Sequence, residues 1–118
     1  MITEDTKKIV IVTDFHPQPY GRYRTDGPGC EKTSGEVFRE TILAPALRQH
    51  SKVEVDLTGY NRYGRSFLDE AFGGLIREEG FTKDDLDLKL VLIHSSVQSI
   101  LKVIQDRIEA AEQDRLTQ

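Results

Sequence analysis

The sequence predicts a single α/β domain, and three observations predict it: a continuous β-branched run at Ile9–Val12, a strictly alternating run at Val53–Leu57, and helical apolar stripes between and after them. Strand and helix patterns that alternate along the chain with short links define the α/β class, with right-handed crossovers. Lys8 to Phe15 reads as a central strand covered on both faces, because Ile9, Val10, Ile11 and Val12 carry no polar interruption. His16 to Thr33 holds three of the four prolines and reads as a long loop, with room for a short strand at Arg22 to Arg24. Long loops in small domains are connectors or carry function, so the 16–33 segment is the first place to seek a site.

Ser34 suits an N-cap and Glu36 complements the positive end of a helix running from Gly35 to about Gln49. Phe38, Ile42 and Ala46 form its stripe, with Val37, Thr41 and Pro45 beside them, and Pro45 predicts a kink or a break. Lys52 to Leu57 alternates as a strand packed on one side. A turn through Gly59, Asn61 and Gly64 leads to a helix opened by Ser66, with Asp69 at capping-box spacing and a stripe of Leu68, Ala71, Phe72, Leu75 and Ile76. Gly80 suits its terminator, and Gly73 and Gly74 inside it predict a close neighbour or ligand. Thr82 and Asp85 suggest a second cap, Leu86 to Ile93 a third strand, and Ser96 to Gln113 a last helix with Val97, Ile100, Leu101, Ile104, Ile108 and Ala111 inward. The residues after it are expected to fray.

The 118 residues carry 16 Lys and Arg against 20 Asp and Glu, a net charge of -4 that argues against nucleic acid as the partner. Hydrophobic residues at 37% with 31% charged residues place the chain among globular domains, not disordered ones. No apolar run approaches the roughly 18 residues of a membrane-spanning helix. The polar segment Met1 to Lys8 resembles no targeting signal, so a cytoplasmic address is expected. The single cysteine, Cys30, cannot form an internal disulfide and agrees with a reducing compartment.

His16, His50 and His94 are scattered without ligand spacing, so no metal site is expected. No nucleophile elbow, P-loop or dinucleotide fingerprint occurs, and neither a cofactor nor a catalytic residue is assigned. Arg22, Arg24, Arg39, Arg62 and Arg65 fall in the long loop and near two helix starts. They either pair internally with Asp14, Asp26 and Asp56 or hold an anion beside helix N–H groups at Ser34 and Ser66. From Asp69 to Asp87 seven acids meet two bases, a local balance of -5, which reads as a solvated face or a docking surface for a basic partner.

The strings Arg22-Tyr-Arg-Thr-Asp-Gly-Pro, Ser34-Gly-Glu-Val-Phe-Arg39, Leu43-Ala-Pro-Ala-Leu47, Val53-Glu-Val-Asp-Leu57 and Ser66-Phe-Leu-Asp-Glu-Ala-Phe-Gly-Gly74 together resemble the STAS-like domains of unassigned function. The resemblance runs from about residue 9 to 108 and implies one STAS-like domain over 1–118. It implies a core at about 8–110 and a small mixed sheet packed against helices. These domains are distantly similar to anti-sigma factor antagonists and sulfate-transporter STAS domains, which are switches and not enzymes. In the antagonists a serine at a helix start is phosphorylated by a partner ATPase kinase, and Ser66 falls at that position. There the antagonists have Asp-Ser-Ser-Gly before Leu, and this chain has Gly64-Arg65-Ser66-Phe67.

The resemblance therefore implies a non-enzymatic regulatory module that binds a protein partner such as a histidine-kinase-like ATPase, with Ser66 as a switch or as a plain N-cap. The other expectation is a sensor or small enzyme that clamps a nucleotide or other anion through arginines. Arg22, Arg24, Ser34, Arg39, Asp56, Arg65 and Phe67 are the candidates for partner or anion binding.

Overall fold

The computed structural model describes residues 5–117. The first part of the polar 1–8 segment and the last residue of the expected 1–118 domain lie outside the described residues. Strands β1 (Thr6–Val10), β2 (Lys52–Asp56) and β3 (Leu90–Ile93) lie in the order β1-β2-β3. Both pairings are parallel, where the resemblance implied a mixed sheet. Each strand reaches the next through a helical crossover, which is the connection parallel neighbours need.

The register sets Ile9 beside Val55 and Val55 beside Leu92, on the face the helices cover. Val53, Val55 and Leu57 are fully buried, as their alternation predicts. Lys8, Glu54 and Val91 share the opposite face, and Val91 is exposed.

β1 is an edge strand and ends at Val10, shorter and less central than the sequence suggests. The Asp14 carboxylate accepts the Val10 N–H at 2.7 Å, and Ile11–Asp14 closes into one helical turn, α1. Within the long loop Arg22 to Arg24 forms no strand, and Cys30–Thr33 forms a second turn, α2. The loop is tied down: Gly35 N–H bonds the Gly21 carbonyl at 2.9 Å and Glu36 N–H bonds that of Arg22 at 3.0 Å.

Helix α3 consists of Gly35–Phe38, a wide turn at Arg39–Leu43 and Ala44–Gln49. Pro45 neither breaks nor ends it. Proline lacks a donor and crowds the carbonyl four residues back. Here the Ala44 N–H reaches back five residues to the Arg39 carbonyl, and that π-type turn absorbs the misfit. The extra residue shifts the stripe by one position, so Leu43, Ala44 and Leu47 are buried while Ile42 and Pro45 are half-buried.

Helix α4 joins Arg65–Leu68, a second wide turn at Asp69–Gly73 and Gly74–Arg77. The sequence suggests a one-sided helix, yet every residue from 67 to 76 is buried. It packs between α3 and the last helix, which is how a helix comes to be covered all round. Gly35 and Gly74 permit this approach: a Cβ on Gly35 would lie 2.5 Å from the Phe67 carbonyl oxygen, and one on Gly74 would collide with the Arg39 guanidinium. The close neighbours expected at Gly73 and Gly74 are therefore parts of the protein. Gly80, at φ 84°, reverses the chain after α4.

The Thr82 and Asp85 capping box is formed, and it starts helix α5 (Lys83–Lys89), so the strand expected from Leu86 begins only at Leu90. Leu86 anchors α5 in the core while Leu88 is exposed. Helix α6 (Gln98–Leu116) buries Ile100, Ile104, Ile108 and Ala111 as predicted. It continues to Leu116, past the end expected at Gln113, and Arg115 bonds Glu112 at 2.6 Å.

Candidate functional site

The loop arginines and the two helix starts must be built up from their partners, because free cations and free N–H groups are what an anion site requires. At the start of α3 nothing is free. Ser34 Oγ accepts the Val37 N–H at 3.3 Å, Phe38 N–H bonds the Ser34 carbonyl at 3.0 Å, and the long loop takes the N–H groups of Gly35 and Glu36. Ser34 is buried and acts as a cap, so it offers nothing to a ligand.

Arg22, Arg24 and Arg39 do come together, but through carboxylates. Arg39, 2% exposed, donates from Nη1 to the Glu70 carbonyl at 2.8 Å and to Glu70 Oε2 at 2.6 Å, and from Nε to Glu79 Oε2 at 3.0 Å. Arg22 Nη1 lies 2.7 Å from Asp69 Oδ2 and 3.3 Å from Glu70 Oε1. Arg24 bonds Glu36 Oε1 at 3.1 Å and pairs with Glu40. Arg77 bonds Asp69 and Arg48 bonds Glu79. Nearby, Arg107 Nη1 is 3.9 Å from Asp69 while its buried Nε has no partner.

Internal pairing is thus the outcome for Arg22, Arg24 and Arg39, with acids other than the expected Asp14, Asp26 and Asp56, while Arg62 and Arg65 have no ion pair among the described residues. Asp26 accepts the Arg22 and Tyr23 backbone N–H groups, and Asp56 accepts that of Thr58. The acidic run is in part an internal structure: Asp69, Glu70 and Glu79 are tied to arginines, and only its remainder is a surface feature. Burial pushes the Asp69 and Glu79 carboxyls up, but the hydrogen bonds from Arg22 and Arg77, and from Arg48 and Arg39, outweigh it and hold both below the usual carboxylate range.

Tyr23, Glu36, Arg39, Glu40, Glu70, Glu78 and Glu79 line a cleft of about 490 Å³ over this network. Its arginine is consumed, so it is no anion clamp. Among the described residues no group of His, Cys, Asp and Glu is placed to hold a metal ion. Cys30 is buried.

The start of α4 is different. Gly64 precedes it without a side-chain cap, so its first N–H groups are left to solvent or a ligand. Ser66 is the second helical residue, not the N-cap the sequence suggests, and Asp69 serves the arginine network in place of a capping box. Ser66 and Arg65 are exposed. Phe67 is not available to a partner: it is fully buried among Phe15, Phe38 and Tyr63, with ring centroids at 6.4, 6.1 and 5.9 Å.

Sequence reasoning missed the partners Glu70, Glu79, Arg48 and Arg77. The signal that could have found them is the pair Asp69-Glu70 set directly between Phe67-Leu68 and Ala71-Phe72, since adjacent acids inside an apolar stretch demand buried cations.

Fold and site define a two-layer, parallel α/β domain whose described residues assemble neither a metal cluster nor an open anion clamp of the expected arginines. A family model described as a STAS-like domain of unknown function (DUF4325) matches residues 34–99, and the chain belongs to that family. No curated protein and no solved structure matches it. Among the described residues no helix is long and apolar enough to cross a membrane.

Proposed function

We propose that this STAS-like chain is a non-enzymatic, cytoplasmic regulatory module that binds a protein partner through the start of α4 and its flanking loops. One observation carries the reading: of α4, only Arg65 and Ser66 at its start and Arg77 at its end are exposed, and residues 67–76 are all buried. A partner or a kinase that reaches the start of this central helix therefore meets Arg65 and Ser66. A phosphate there adds a charge of about -1.5 to -2 at a helix start that lacks a cap and stands beside Arg65, which stabilises the helix end while changing the surface a partner reads. The partner class is a histidine-kinase-like ATPase, on the resemblance to anti-sigma factor antagonists.

The test is affinity capture with wild-type protein, Ser66→Ala and Ser66→Asp as baits, quantified by mass spectrometry, with phosphopeptide mapping of the wild-type chain. The expected result is an ATPase retained by wild type and Ser66→Ala and lost with Ser66→Asp. Identical retention by all three, with Ser66 unmodified in the presence of the captured ATPase and ATP, overturns the switch. The expected clamp of Arg22, Arg24, Arg39 and Arg65 is not supported, because carboxylates hold the first three and leave only Arg65 without an ion pair among the described residues.

A further inference from the structure

The clefts on this acidic protein differ in what lines them. The one over Arg39 holds five glutamates, the one between α4 and α6 holds Glu78 and Asp114, and a small one beside Arg65 holds Asp106. A cleft of about 470 Å³ is lined by His16, Gln18, Tyr20, Thr33, Tyr60 and Arg62, with no carboxylate. We infer that this cleft binds a small molecule that joins a planar aromatic ring to an anionic group, with the two tyrosines receiving the ring and Arg62 the anion.

Its position follows from the sheet. His16 to Thr33 and Tyr60 to Arg62 belong to the loops beyond the carboxyl ends of β1 and β2, the end at which parallel sheets bind ligands. The order β1-β2-β3 has no point where successive crossovers part to opposite faces, so a pocket here has to be built by loops, as this one is.

The chemistry follows from the side chains. Arg62 has no ion pair among the described residues, whereas Arg22, Arg24, Arg39, Arg48, Arg77 and Arg115 each bind a carboxylate. An unpaired guanidinium presents a planar fork suited to a phosphate or carboxylate. His16 Nδ1 accepts the Gln18 N–H at 3.0 Å, which leaves Nε2 as the ring's donor. Tyr20 is 52% exposed, so about half of this large side chain is open to solvent. Flat aromatic rings stack on such tyrosines with little regard to sequence or substituent.

The walls are also fixed in advance. Tyr20 N–H bonds the Thr33 carbonyl at 3.0 Å and Thr33 Oγ1 returns a bond to the Tyr20 carbonyl at 2.8 Å. On the other side His94 Nδ1 accepts the Ser96 and Val97 N–H groups, so Nε2 carries the proton and donates to the Tyr60 carbonyl at 3.0 Å. The Tyr60 ring stands edge-on to Tyr63, with centroids 5.1 Å apart. A site already ordered loses little entropy on binding.

The inference does not rest on Ser66 as a switch, although Tyr60 and Arg62 lie in the loop that leads into α4. The test is a titration of the full chain, at fixed ionic strength, with adenosine monophosphate and phenyl phosphate, followed by amide chemical shifts, with adenosine and inorganic phosphate as the half-probes. The expected result is saturable shifts around His16, Tyr20, Tyr60 and Arg62 with both aromatic anions, and binding at least about tenfold weaker for each half-probe and for Arg62→Ala or Tyr20→Ala. Both variants alter exposed side chains, and an unchanged melting temperature shows that they fold. Absence of saturation by either aromatic anion up to about 10 mM overturns the inference. So does binding of inorganic phosphate as tight as that of phenyl phosphate, or affinity unchanged in Arg62→Ala.

Discussion

Replacing Arg39 by alanine tests whether this arginine belongs to the architecture or to a ligand site. Arg39 is 2% exposed and donates three hydrogen bonds, two to Glu70 and one to Glu79. Removing one member of a buried ion pair costs about 3–5 kcal/mol, because the other is left without its compensating charge. The acids here keep other cations: Glu70 retains Arg22 at 3.3 Å and Arg77 at 3.7 Å, and Glu79 retains Arg48 at 2.8 Å. The loss therefore belongs near the lower bound, about 3 kcal/mol. Against a total stability of about 5–15 kcal/mol that is a large fraction, and it corresponds to a fall of roughly 10 °C in melting temperature for a domain of this size. Urea unfolding followed by circular dichroism measures it, with the slope unchanged if the unfolded state is unaffected. Arg39→Lys keeps the charge and loses the planar fork, so it falls between wild type and alanine. A loss in Arg39→Ala below about 1 kcal/mol, the range of an exposed pair, refutes the structural role.

Two further perturbations follow from the same packing. Asp69 and Glu79 have folded-state pKa values below their ordinary 3.8 and 4.5, so the stability they contribute is present above those values and lost as pH falls through and beneath them. The urea midpoint should hold steady down to about pH 5 and then drop, with a shallower drop in the Asp69→Asn, Glu79→Gln double variant; a midpoint unchanged at pH 3 contradicts the network. Gly35→Ala places a methyl 2.5 Å from the Phe67 carbonyl oxygen and 3.1 Å from the Ala71 nitrogen, so backbone must move at a cost of about 1–3 kcal/mol. Gly64→Ser, at φ -73° with nothing within 4 Å of the new Cβ, adds the missing cap to α4 and raises stability by a few tenths of a kcal/mol, both effects being read from melting temperatures.

The parts of the fold legible in sequence are those fixed by short-range patterns. The alternation of Val53, Val55 and Leu57, the helical spacing of Ile100, Ile104, Ile108 and Ala111, and the Thr82 cap each depend on steps of two to four residues. Errors arose where one pattern fits two structures. Asp85-Leu-Asp-Leu-Lys-Leu90 alternates with period two and reads as strand, but the capping box commits Lys83–Lys89 to helix. Ile9 to Val12 is uniformly apolar, so nothing in its hydropathy marks the turn that Asp14 imposes after Val10.

The candidate site was the least legible. The bonds of Arg22, Arg39 and Arg48 join residues 31 to 48 positions apart, such as Arg39 to Glu70 and Arg22 to Glu70, and no local spacing encodes them. Arg62 was visible as one of a set of arginines, but its lack of an acid emerges only once every neighbour's partner is known.

That sorting of arginines decides what the surface can do. Burying Asp69 and Glu70 in a helix covered on all sides demands cations, and Arg22, Arg39 and Arg77 are drawn inward to supply them. Arg62 and Arg65 remain without ion pairs among the described residues, on either side of Gly64 and immediately before or beside Ser66. The positive end of the α4 dipole, uncapped, lies between them in the sequence. Two guanidinia without ion pairs and a helix start therefore bring positive charge to this end, beside Asp106 and Arg107 at the Arg65 cleft, even though the whole chain carries a charge of -4. The two arginines serve different chemistry. Arg62 lines the aromatic cleft, and Arg65 stands next to the exposed serine. Arg62→Ala should then weaken an aromatic anion without altering capture of a protein partner, and Ser66→Asp should do the reverse. Loss of both in either variant would mean that ligand and partner share one surface.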